Sequence, residues 1–114
     1  MQVNINTDHN IKDSHDFLTH TDKFEDIIQN ALIHFKKHIT RIEVHFTDVN
    51  AGKTGVNDKR CLIEARVSGI SAVVATHQAN DLTLALDGAA EKLKNSLDHI
   101  FGKMKKNKSI PISF

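Results

Sequence analysis

The residues best placed to do chemistry in this 114-residue chain are cations at helical spacing near its end. At 100° per residue, Lys92, His99, Lys103 and Lys106 fall in one strip about 60° wide that holds no acid. Such a strip suits a row of anionic groups, phosphates above all. Other combinations carry less. Gly52-Lys53-Thr54 ends like a phosphate-binding loop, but Thr47 stands where that motif needs glycine and no helix pattern follows, so the match is coincidental. His34 and His38 stand at i, i+4 without the intervening Glu of a metalloprotease or a third ligand at ligand spacing, and His9, His15, His20, His45, His77 and His99 are scattered. They read as solvated side chains. Cys61, the chain's one cysteine, belongs to an alternating apolar series and reads as a buried, inert thiol. Nothing pairs Ser or Cys with His in a recognisable nucleophile signature, so no catalytic residue, metal or cofactor is assigned.

The charge balance limits what the strip implies. Fifteen Lys and Arg against fourteen Asp and Glu leave a net +1, with no overall pull toward nucleic acid, although the first half is net acidic and the second net basic. The other flank of the same helix mixes Lys94 and Lys105 with Asp87, Glu91 and Asp98, as an ordinary solvated face does. On charge alone the two readings stand level.

The elements that must position these groups follow from hydrophobic periodicity. Val3 and Ile5 alternate with polar neighbours in a first strand over residues 1–7. Asp13 or Ser14 caps a helix whose stripe of Phe17, Thr21, Phe24, Ile28, Ala31, Leu32 and Phe35 carries it to about Lys37. Ile42, Val44 and Phe46 alternate with Arg41, Glu43, His45 and Thr47 in a second strand that breaks at Asp48. Residues 48–59, rich in turn formers, read as a mobile loop. Cys61, Ile63, Ala65 and Val67 mark a third strand, Ser68-Gly69 a turn, and the β-branched run from Ile70 to Thr76 a fourth. Asn80 or Asp81 then caps a long helix with Leu82, Leu86, Ala89, Leu93, Leu97, Ile100 and Met104 inward, ending near Lys106. The order β-α-β-β-β-α predicts an α+β domain, two one-sided helices covering one face of a four-stranded sheet and leaving the other wet. The composition is globular, no stretch suits a membrane span, and the amino terminus has no secretory pattern, so a cytoplasmic home is expected.

That order, with the segment Asp81-Leu82-Thr83-Leu84-Ala85-Leu86-Asp87-Gly88-Ala89-Ala90-Glu91-Lys92-Leu93, resembles the ribosome hibernation-promoting factors, also called ribosome-associated inhibitors. Family members show a similar Asp-Met-Tyr-x-Ala-Ile-Asp followed by Lys-Leu. Asp81, Ala85, Asp87, Lys92, Leu93 and Leu97 match in type and spacing, and the opening Met-Gln-Val-Asn-Ile resembles the usual first strand. The chain departs from the pattern at Thr83, where relatives carry an aromatic, and at Asn95, where they carry a basic residue, with Asp98 and Phe101 further along.

The resemblance implies a fold similar to double-stranded RNA-binding domains, with residues 1–106 as a single ribosome-binding domain of the short family form and 107–114 as a tail. It implies a non-enzymatic regulator that binds the small ribosomal subunit through its ribosomal RNA and occludes the mRNA and tRNA channel in starved or stationary cells. The residues expected to meet rRNA are Lys36, Lys37, Arg41, Lys92, Lys94, His99, Lys103, Lys105 and Lys106. No membrane and no small-molecule substrate is expected. The rival is a protein-interaction module that keeps the fold with weakened RNA binding and uses its wet sheet face or tail. In that tail Ile110, Ile112 and Phe114 alternate around Pro111, which suits either a short edge strand supporting weak self-association or a frayed terminus.

Overall fold

Alternation and stripe decide most of the architecture. The computed structural model describes residues 1–12, 14–49 and 58–106, apart from the side chains of His9, Asn10, His15, Met104, Lys105 and Lys106. Its elements are β1 (Gln2–Thr7), α1 (His9–Lys12), α2 (His15–Ala31), a 3-10 turn (Ile33–Phe35), β2 (Ile39–Asp48), β3 (Lys59–Val67), β4 (Val73–Ala79) and α3 (Leu82–Lys106). The strands form one sheet in the order β1-β2-β3-β4. β1 runs parallel to β2, as a helical crossover requires, and the other pairs are antiparallel. The fold is α+β, as expected.

One sheet face is apolar across every strand. In register, Val3, Ile42, Ala65 and Val73 form one row, and Ile5, Val44, Ile63 and Ala75 the next. Over them pack Phe24 and Ile28 of α2, Leu32 just past its end, and Leu82, Leu86, Leu93 and Leu97 of α3, each fully buried. The opposite face presents the alternate residues, among them Asn4, Glu43, Glu64 and Val74 in a single row.

Several boundaries differ from the sequence expectation. Ser14 rather than Asp13 is the cap of α2, its hydroxyl accepting the Phe17 N–H at 3.2 Å. α2 ends at Ala31 and not near Lys37, because the chain tightens into the 3-10 turn that keeps Phe35 buried and then has to reach the sheet at Ile39. The short α1 was not foreseen. Asp8 builds it, accepting the Ile11 N–H at 3.0 Å with one oxygen and the Asp48 N–H at 2.8 Å with the other, so that Ile11 is sealed into the core. The Ser68-Gly69 turn is present, with Gly69 at φ +82°, a conformation that glycine adopts without strain. β4 nevertheless starts at Val73, three residues later than expected, since Ile70 stays in the turn with its N–H on Val67 O. Asp81 caps α3, accepting the Leu84 N–H at 2.8 Å, and Asp16 of α2 reaches across to accept the Leu82 N–H at 3.0 Å. The residue 50–57 part of the expected loop and the whole 107–114 tail lie outside the described residues.

Candidate nucleic-acid interface

The cations predicted to meet RNA divide into three groups. The first lies at the end of the molecule where an aromatic contact fixes the turn after α2 to α3. Phe101 on α3 stacks on Phe35 at a centroid distance of 5.5 Å and 15° between planes, and the His38 ring lies 5.1 Å away. The turn between them is tied down at His38, whose N–H donates to Phe35 O and whose carbonyl accepts the Ser68 N–H, both at 2.9 Å. Lys36 and Lys37 project from this turn into solvent, while His99 and Lys103 are exposed on α3, two residues either side of Phe101 and so about 160° round the helix from it. Phe101 therefore fixes the turn that carries Lys36 and Lys37 to one flank of α3, while His99 and Lys103 stand with Lys92 on the other.

The second group flanks α3 without joining that end. Lys92 donates to Thr76 O at 3.1 Å and so lies along the free edge of β4. Lys94 lines the groove between α2 and α3 with Ile27, Asn30, Ala31 and Ala90, beside Asp87 and Glu91. Its charge has acidic company, as the mixed flank predicted. The backbones of Lys105 and Lys106 complete α3, and their side chains are outside the described set.

Arg41 is the third case, apart from the lysines with which its place in the chain groups it. It pairs with Gln2 on one side and Arg66 on the other, which puts it on the open sheet face, across the sheet from both helices. The structure does not bring it together with the helix lysines. The reason is strand alternation: Ile42 faces inward, so its neighbour Arg41 faces out. The same alternation carries Arg60 and Arg66 to this face, so all three arginines of the chain lie there. Neither Arg60 nor Arg66 is among the residues expected to meet rRNA, although the period-2 pattern of Arg60, Leu62, Glu64 and Arg66 puts both on Arg41's face.

Acids on the open face are matched to two of these arginines. Arg41 Nε lies 3.2 Å from Glu43 Oε1, and Arg66 Nε 3.3 Å from Glu64 Oε1. The Glu43 carboxylate also accepts from the Asn4 and Asn6 amides at 3.1 and 3.2 Å. Asn4's hydrogen bond, helped by the nearby charge of Arg41, holds the Glu43 carboxyl below the usual range. At the far end of the sheet Lys59 lies between Asp48 at 3.6 Å and Asp58 at 3.0 Å. Burial pulls its pKa down, but the Asp58 hydrogen bond and the charge of Asp48 outweigh that and leave it raised.

Cys61 is buried under the helices, and burial pushes its thiol up to about 12, far from a reactive thiolate. Among the described residues no three His, Cys, Asp or Glu are grouped to hold a metal. No described helix is long and apolar enough to cross a membrane.

Comparison with known proteins bears on this arrangement. The model of the family described as sigma 54 modulation protein / S30EA ribosomal protein matches residues 10–105. No curated protein matches the chain. Among solved structures, a ribosomal subunit interface protein from Coxiella burnetii superposes with a TM-score of 0.64 at 16% identity, over 90% of this chain and 99% of that one. The N-terminal domain of Protein Y from Thermus thermophilus superposes with a TM-score of 0.58 at 19% identity, over 88% and 99%. Both likenesses are likenesses of fold.

Proposed function

The chain belongs to the sigma 54 modulation protein / S30EA ribosomal protein family, that of the hibernation-promoting factors, and from that premise we propose that it is a ribosome-associated regulator of translation. It docks on the small ribosomal subunit by neutralising ribosomal RNA phosphates and occludes the mRNA and tRNA channel by its bulk. It acts in the cytoplasm of starved or stationary cells, with no catalytic step, cofactor or small-molecule substrate. The observation that supports this reading best is the acid-free flank of α3 on which Lys92, His99 and Lys103 are all exposed to solvent.

Co-sedimentation with small subunits across a salt series tests it. If about five phosphates are neutralised, log affinity should fall against log salt with a slope of roughly −3.5. A slope near zero would overturn the electrostatic mechanism. The rival reading, a protein-interaction module, draws its support from the open sheet face, where Arg41 and Arg66 sit beside Glu43 and Glu64 in a mixed-charge surface.

A further inference from the structure

α3 contains two glycines, and only one is explained from inside the chain. A Cβ at Gly88 would overlap the His77 ring of β4, so no other residue fits there without displacement. A Cβ at Gly102 would meet nothing within 4 Å. Gly102 is exposed, and glycine is the poorest helix former after proline, so alanine would suit the helix better. No described contact within the chain calls for glycine here. Around it is a shallow hollow of about 300 Å³ lined by Asp98, His99, Gly102 and Lys103.

The rim of this hollow has two chemistries. His99 and Lys103 supply donors on one side, and the Asp98 carboxylate, an acceptor only, stands on the other. A plain anion site would not place a carboxylate beside its cations. A strand of RNA presents both complements in sequence, a phosphate and next to it a ribose hydroxyl able to donate. We propose that Gly102 is the point at which a ribose-phosphate strand of RNA comes into contact with the backbone of α3, its phosphate on His99 and Lys103 and its 2′-hydroxyl donating to Asp98. The missing side chain lets the strand approach closely enough for both contacts. This rests on the ribosomal RNA reading above and adds to it a position and a requirement for ribose.

Gly102→Ala and Gly102→Leu test the proposal, since open space around the Cβ lets both fold. Gly102→Ala should melt no lower than the parent chain, yet bind small subunits more weakly, and Gly102→Leu should bind about tenfold more weakly or worse through steric exclusion. The salt slope should stay that of the parent, because no cation is removed. The same losses are expected with protein-free small-subunit RNA, and Asp98→Ala should narrow the preference for an RNA hairpin over DNA of the same sequence. Unchanged affinity of both Gly102 variants would overturn the inference and leave ribosome binding standing. A loss seen with subunits but not with protein-free RNA, or one that vanishes when residues 109–114 are removed, would assign the hollow to another occupant and also overturn it. Failure of the parent chain to sediment with ribosomes would overturn both readings together.

Discussion

The two glycines of α3 make opposite predictions at the scale of single residues. Gly88 lies against the His77 ring, so Gly88→Ala gains helix propensity but displaces that ring from its packing on α3. Overpacking of this kind costs about 1–3 kcal/mol, and denaturant unfolding should show that loss where Gly102→Ala shows none. Glu43 offers a second single-residue test. Its folded pKa is depressed, so its contribution to stability is present above the unfolded pKa and is lost as pH falls through the folded value. The first cause is the Asn4 amide, so Asn4→Ala should raise the Glu43 titration midpoint toward that of an ordinary carboxylate, as followed by NMR of the side-chain carboxyl. A midpoint that does not move would shift the cause to Arg41.

At the scale of elements, the joint between the turn after α2 and the end of α3 matters most. Phe101 is 7% exposed and stacks on Phe35, so Phe101→Ala should cost about 3 kcal/mol by the usual cost of an aromatic cavity. It should also weaken ribosome binding while leaving every cation in place, because the turn that carries Lys36 and Lys37 is then no longer fixed against α3. Equal affinity in sedimentation would separate the joint from the interface. Much of this architecture was legible in the sequence, since burial itself sets the periodicities: β2 and β3 alternate, and α3 carries its stripe. The end of α2 was not legible, because Phe35 keeps the inward phase of the helical stripe whether the backbone there is α or 3-10. The start of β4 was missed for a related reason, as β-branched residues favour a strand but do not set where the hairpin closes. Phe101 was noted only as a departure from the family, its stacking partner being distant in sequence. Arg41 was grouped with Lys36 and Lys37 by nearness along the chain, against the alternation already visible in its own strand.

Over the whole molecule the division of cations between two faces predicts unequal effects. Lys103 belongs to the Phe101 end and Arg41 to the open sheet beside Glu43, so Lys103→Gln should reduce ribosome co-sedimentation more than Arg41→Gln. The reverse order would move the interface to the sheet. The net charge of +1 hides a further pattern. Asp8, Asp16, Asp48, Asp58 and Asp81 gather where β1 and β2 end and α2 and α3 begin, as the bonds from Asp48 and Leu82 to Asp8 and Asp16 show. Lys36, Lys37, Arg41, Arg66 and Lys103 lie toward the other end, where β2 starts, β3 stops and Phe101 packs. A nearly neutral protein so arranged is an electric dipole. Near a polyanion it feels a torque more than a pull, so it arrives already turned with its basic end forward, and the field raises the fraction of productive encounters without lengthening the stay.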